Sequence, residues 1–316
     1  MRMPIRLLPA ARRRLDVVGF GLNSLDIVAV VPSHPGPNSK LAIQQLAQLP
    51  GGQITTAMVA CARLGWRSRY IGRFGDDAYG AIGIESLQRE GVETSFAERI
   101  PGATSHFSIV IVDAARGERT VMWHRHPGLA FPIDAVPADA VREGRVLLVD
   151  GFETAAAARA AEVAQAAGMA TVVDVEQVSP DIEVLLEHTD VIIVAEDFPR
   201  EMTGVASTGE ALAALAGRFP RASVVCVTLG EEGSLARCAG REIHTPAFPV
   251  NCVDSTGAGD VFRAGFIAAW LKGGDAAEIE EVLRYANAAA ALNCRGVGAQ
   301  VACPGPHEVE VLLHSK

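Results

Sequence analysis

The sequence predicts an α/β protein: a doubly wound, mainly parallel sheet with helices on both faces, together with a small antiparallel β-sheet. Three observations predict it. From residue 16 onward, short apolar runs alternate with alanine-rich stretches of helical length. The runs are apolar at successive positions, as strands buried on both faces are. Two regions, 27–50 and 104–126, break the alternation with extended stretches and no helix between them.

The strand candidates, in order, are 17–21, 69–72, 146–150, 171–174, 191–194 and 224–229. Helical stretches lie at 54–64, 81–90, 155–167, 182–187, 209–217 and 278–292. Gly65, Gly91 and Gly168 follow three of them, where a left-handed residue closes a helix. No linker or repeat divides the chain, so 16–316 reads as one domain. Residues 1–15 are basic and irregular, with Arg12-Arg13-Arg14, and read as a flexible arm. They lack the apolar core of a secretory signal.

Composition bounds the function. The chain has 316 residues, 49% of them hydrophobic, ample for a large core. A net charge of −9 argues against a nucleic-acid surface. An anionic substrate must then be attracted locally. No apolar run reaches the ~18 residues of a membrane span. The six cysteines are scattered and form no Cys-x-x-Cys, so reduced thiols in a cytoplasmic protein are expected. His124 and His126 share a strand face, but no third ligand accompanies them, and zinc is not expected.

The most informative stretch is Asp254-Ser255-Thr256-Gly257-Ala258-Gly259-Asp260. It opens a helix over 260–272, which Gly273-Gly274 stops. The first amides of a helix have no intrahelical acceptor, and the dipole adds positive charge there. Gly257, Ala258 and Gly259 thus form a candidate anion hole for a phosphate. Asp260, at its mouth, is a candidate general base for a substrate hydroxyl. A base beside an anion hole points to phosphoryl transfer to an alcohol. The Walker-type Gly-x-x-x-x-Gly-Lys-Ser/Thr is absent.

Asp-Ser-Thr-Gly-Ala-Gly-Asp-Val-Phe resembles the C-terminal signature of the ribokinase-like (PfkB) carbohydrate kinases. Gly51-Gly52, the 56–64 helix, Gly65 and Tyr70-Ile71-Gly72-Arg73-Phe74-Gly75-Asp76-Asp77 resemble the family's N-terminal signature. Val227–Gly233 resembles its nucleotide strand-loop. The segments come in the family's order and cover roughly 16–313. The resemblance implies an ATP-dependent sugar kinase with Mg²⁺. It also implies that 27–50 and 104–126 form a β lid over the sugar, which pairs with a second copy in a homodimer.

Site residues carry over by position. Asp26 would accept sugar hydroxyls, and Gly51 and Gly52 would meet the substrate with their backbone. Thr56 stands where the family has Asn and offers one hydroxyl instead of an amide. Lys40 and Arg125 are candidate cations for a charged sugar substituent, a solvated lid charge being the alternative. Thr228, Gly230 and Gly233 would contact the nucleotide, and Asn287 would lie near adenine. The family's Asn-x-x-Glu motif falls on Ala195-Glu196-Asp197-Phe198, with both end positions changed. Glu196 is then the candidate for ordering water on Mg²⁺. Asp254 and the loop 294–299 are the candidate K⁺ site. Arg263, one turn beyond Asp260, either touches phosphate, pairs with Asp260 or faces solvent.

Within the family the chain is similar to ketohexokinases and sulfofructose kinases, through Asp174-Val175-Glu176, Glu196-Asp197 and Ser39-Lys40. A primary hydroxyl of a ketohexose is the favoured acceptor, with an anionic sugar as alternative. A nucleoside kinase of the same fold would show aromatic side chains in the lid, and Phe107, Trp123 and Phe131 are the candidates. A catalytically idle sugar-binding regulator is the reading from another class. Retention of Asp254 and Asp260 argues against it, and ATP turnover separates it.

Overall fold

Val17, Val18, Gly19 and Phe20 are buried in succession, and strands of this kind make the centre of a nine-stranded sheet. The computed structural model describes residues 1–116 and 118–315. In chain order the strands are β1 (Val17–Phe20), β2 (Ser24–Val31), β3 (Gln45–Gly51), β4 (Ser68–Gly75) and β5 (Glu93–Ile100). β6 (Phe107–Asp113), β7 (Arg119–His124), β8 (Val146–Asp150), β9 (Ala170–Val175) and β10 (Val191–Ala195) follow. β11 (Val224–Thr228), β12 (Ser234–Cys238) and β13 (Arg241–Thr245) complete them. The helices are α1 (Gln53–Arg63), α2 (Ala78–Arg89), α3 (Ala138–Val141), α4 (Thr154–Ala166) and α5 (Ile182–Glu187). α6 (Phe198–Thr203), α7 (Thr208–Arg218), α8 (Ala258–Gly273), α9 (Ile279–Asn293) and α10 (Pro306–His314) follow.

The large sheet runs β13-β12-β11-β10-β9-β8-β1-β4-β5. Every pair from β11 through β5 is parallel, and only the β11-β12-β13 end is antiparallel. Its side chains divide by period two. Val17, Val146, Leu148 and Ile193 pack against α1, α8 and α9 on one face. Val18, Leu147, Val149 and Ile192 pack against α4, α5 and α7 on the other. This is the predicted double winding. Phe262, Phe266 and Trp270 anchor α8 with almost no exposure. Truncating such a ring to alanine costs about 3–5 kcal/mol, so α8 is held rigidly under its N-terminal turn.

The small sheet runs β3-β2-β6-β7. Its outer pairs are antiparallel, as expected, but the central β2-β6 pair is parallel. The reason is the connection between them: α1, β4, α2 and β5 lie between β2 and β6 and return the chain in the same direction. Asp77 ties the small sheet to the large one. Its carboxylate accepts from Gly80 N at 2.8 Å, capping α2, and from Ser105 N at 2.8 Å and Ser105 Oγ at 2.7 Å, just before β6.

Residues 1–15 correct the expectation of a flexible arm. Met3 N donates to Ala277 O at 2.8 Å and Ile279 N to Met1 O at 2.8 Å. The amino terminus pairs with Glu280 at 2.6 Å. Met1, Met3, Ile5 and Leu7 alternate along the segment and pack against the α8–α9 core. That apolar period fixes a stretch whose arginines suggest solvation.

Candidate active site

The C-terminal ends of β1, β8 and β9 open into a cavity of about 520 Å³, roofed by β2, β6 and β7 of the small sheet. Open α/β sheets place ligands at this end of their strands. Asp26, Gly52, Gly257, Gly259 and Asp260, all singled out from the sequence, line it together.

The floor is the start of α8. Gly257 takes φ 77°, and a Cβ on it would stand 2.7 Å from Ala299 O, so the turn admits only glycine. Ala258 N donates to Ser255 O at 3.2 Å and Val261 N to Gly257 O at 3.0 Å. The amides of Gly257, Gly259 and Asp260 meet no acceptor among the described residues. The free donors are therefore Gly257, Gly259 and Asp260. Ala258, expected among them, spends its amide on the turn.

Asp254 fixes this turn from behind. It is buried, accepting from Thr256 N at 2.9 Å and Thr256 Oγ1 at 2.7 Å on one oxygen and from Gly298 N at 2.8 Å on the other. The turn and the 294–299 loop are thus one unit. Asn293 adds a bond from Nδ2 to Thr256 O at 3.1 Å.

Asp260 lies in the first turn of α8, 8% exposed. Burial pushes its carboxyl well above the usual range, and Asp174, Glu176 and Asp26 push the same way, while Arg263 opposes them. Asp174, at the end of β9, is pushed up to about 6, chiefly by burial. Across the cavity, Asp26 accepts from Ser24 Oγ at 2.8 Å and Ser108 Oγ at 2.5 Å, both on Oδ1. Burial raises its pKa despite these bonds. Among the described residues no donor meets Oδ2, which leaves it for a ligand hydroxyl.

Several expected residues stand elsewhere. Gly51 sits behind Asp26 and not on the cavity wall. Thr56 is fully buried and accepts from Gln300 Nε2 at 3.4 Å. Arg125 ion-pairs with Glu153, donates to Leu129 O at 2.9 Å and stacks 5.2 Å over Phe152, so its charge is already used. Lys40 is exposed in the connection from β2 to β3 and does not line the cavity.

Glu196 corrects the Mg²⁺ expectation. It is exposed in the turn before α6, 3.9 Å from Arg200, and does not line the cavity. Asn287 donates to Ser234 Oγ at 3.0 Å and Thr245 O at 3.1 Å, holding β12 and β13 with the amide expected near adenine. Thr228, at the end of β11, donates to Val194 O at 3.4 Å, and Gly230 and Gly233 frame the following turn. All three lie at or just beyond the C-terminal end of β11, outside the cavity lining.

The sequence reading missed Arg119, the place of Glu176 in the cavity, and the His106 and Phe152 rings that join the lid aromatic Trp123 in a wall. Arg119 of β7 reaches down to the Ser255 hydroxyl and is the only Lys or Arg on the described lining. Its signal was weak: one arginine among the several of the lid. Trp123 stacks on His106 at 5.7 Å, and Phe152 stands edge-on to both. His106 is buried with Nδ1 unpartnered, and burial pushes it down to about 4, so the ring is neutral.

Known proteins resemble the chain along nearly its whole length. The model of the pfkB family of carbohydrate kinases matches residues 14–305. A ribokinase of Bacillus subtilis (strain 168) is 27% identical over 308 residues, covering 94% of this chain and 99% of that protein. A fructokinase of Escherichia coli is 28% identical over 286 residues, covering 84% and 92%. An Arabidopsis thaliana ribokinase complexed with ribose and ATP superposes with a TM-score of 0.82 at 24% identity, covering 96% of this chain and 99% of that one. Because the family match runs from residue 14 to 305, this chain belongs to the pfkB carbohydrate kinases, phosphotransferases that act on a sugar hydroxyl.

Proposed function

We propose that the enzyme transfers the γ-phosphate of MgATP to a primary hydroxyl of a ketohexose-like sugar. The observation that carries this is the meeting of an acid and free helix-start amides in one cavity: Asp260 beside the amides of Gly257 and Gly259, with Asp26 on the opposite wall. Asp26 Oδ2 and the Gly52 backbone hold the sugar. Asp260 takes the hydroxyl proton as the oxygen attacks the γ-phosphorus. The free amides bind the charge that builds on the transferring group. ATP lies toward Thr228, Gly230 and Gly233, with the phosphates over the α8 start. Mg²⁺ enters as the counter-ion of ATP. Glu196 stands off the cavity lining and is not needed for it.

A panel of D-fructose, D-ribose, a sulfo-sugar and nucleosides, read by ADP release, tests the reading. Fastest turnover of fructose supports it. Turnover of nucleosides alone would replace the acceptor, and the Trp123–His106–Phe152 wall is the observation that favours this second reading, since a base stacks on such a wall. No ADP release with any acceptor would leave a binding protein.

A second copy of the chain covers the outer face of the small sheet in this reading. Leu46, Ile109 and Met122 stand there 62%, 38% and 49% exposed. The in-register Ile109–Met122 pair puts two of them side by side, and an apolar sheet face of this kind marks an interface. Light scattering after gel filtration should give twice the mass of one chain. A monomer at micromolar concentration overturns the dimer.

A further inference from the structure

Arg263 is buried one turn beyond Asp260, 3% exposed. Its guanidinium passes directly beneath the anion-hole turn: a Cβ on Gly259 would stand 2.6 Å from Nη1. Nη2 lies 2.8 Å from Asp174 Oδ1 and donates to Ile193 O at 3.2 Å. The Asp174 contact is an ion pair off the N–H direction, for Oδ1 gains no aligned hydrogen bond from it. Asp174 is 2% exposed and, as a neighbouring acid, pushes the Asp260 carboxyl upward.

Buried acids that face one another disfavour each other's charged forms, so one tends to keep its proton. A base that carries a proton cannot accept one. The groups facing Asp260 are Asp174 and Glu176 from the end of β9, Asp26 from β2, Arg263 from its own helix and the Cys303 thiol before α10. Arg263 is the cation among them.

We propose that Arg263 is a positioning residue for catalysis: tied to Asp174 and running beneath Gly259, it fixes the turn that carries Asp260, and its buried cation offsets the acids that face that base. This rests on Asp260 being the base. In the free enzyme the Asp260 proton leaves to water, and the guanidinium faces the carboxylates. The sugar O–H proton then passes to Asp260 as the oxygen–phosphorus bond forms. The bond from γ-phosphorus to the bridging oxygen breaks, and ADP leaves with that electron pair. The proton returns to water after product release.

The test compares wild type, Arg263→Met, Arg263→Lys, Asp174→Asn and Asp260→Asn in two readouts. One is the acidic limb of kcat/KM for D-fructose at saturating MgATP. The other needs no sugar: carbon-13 NMR of the aspartate carboxyls, with Asp260 assigned by its loss in Asp260→Asn. Arg263→Met should move both midpoints to higher pH by about one unit or more. Arg263→Lys should restore most of the shift. Asp174→Asn should move both to lower pH, since it removes the like charge. It keeps the shape of the site and serves if Arg263→Met fails to fold. Unmoved midpoints in Arg263→Met and Asp174→Asn, with Asp260→Asn inactive, would overturn the proposal and leave Arg263 a structural tie. Normal kcat in Asp260→Asn would instead remove the base reading, and the proposal with it.

Discussion

Gly51 stands so close to Asp26 that a Cβ on it would lie 1.9 Å from Asp26 Oδ2. That oxygen is the one left without a donor in the cavity. Gly51 therefore sets the position of the proposed sugar acceptor without lining the cavity itself.

Gly51→Ala should displace the Asp26 carboxylate and break its bonds to Ser24 and Ser108. The sugar KM should rise about 10-fold or more while the MgATP KM holds, because the lost contact serves sugar binding alone. Asp26→Asn should show the same split. Equal rises in both KM values would mean a general loosening of the site.

Asp260→Asn keeps shape and removes basicity. It should lower kcat by about 10²–10⁴, the range of a positioned base, with ATP affinity by calorimetry nearly unchanged. The same variant should gain stability. Burial pushes Asp150 up to about 7 and Asp174 up to about 6, and pushes Asp260 upward as well. An unfolded aspartate loses its proton near pH 4. Between there and about pH 7 the folded state binds more protons than the unfolded one, so stability falls as pH rises. Asp260→Asn should raise Tm by about 2 °C or more at alkaline pH, and the gain should vanish below about pH 3, where the acid is neutral in both states. A gain that is constant with pH would mean a packing effect instead.

Much of this was legible in the sequence, for a common reason. β8, β9, β10 and β11 are buried on both faces, so their apolar runs stand out without reference to partners. The turn 254–260 carries its own backbone logic, which needs no neighbour to be read. β5 and β13 were missed because Glu93, Glu98, Arg99, Arg241 and Glu242 charge these edge strands, as edges generally are. Arg263 and Asp174 lie far apart in sequence and meet only through the order of β9, β10 and α8. Arg125 looked free because Glu153, its partner, comes from beyond a strand that sequence cannot pair.

Potassium should raise turnover. Asp254 joins the anion-hole turn to the 294–299 loop through Gly298 N at 2.8 Å, so a cation ordering that loop would order the amides too. Rates in potassium chloride and tetramethylammonium chloride at equal ionic strength check this. Identical rates would remove the monovalent site, and Asp254 would remain a hydrogen-bonded strut.

Arg119 should prove the main attraction for the triphosphate. The protein carries a net charge of −9, and the cavity adds Asp26, Glu176 and Asp260. The field of the whole molecule therefore repels ATP, and a local cation must overcome it. Arg119 is the cation on the described lining, and it already touches Ser255 at the edge of the anion hole. A guanidinium there can meet phosphate oxygens with two N–H groups, which an ammonium cannot. Arg119→Ala should lower kcat/KM for MgATP by about 10- to 100-fold, as loss of a charge-assisted phosphate contact does. Arg119→Lys should recover only part of it. Added salt should weaken ATP binding in wild type more than in Arg119→Ala. Equal salt dependence in the two would show that Arg119 serves only to tie the small sheet to the turn.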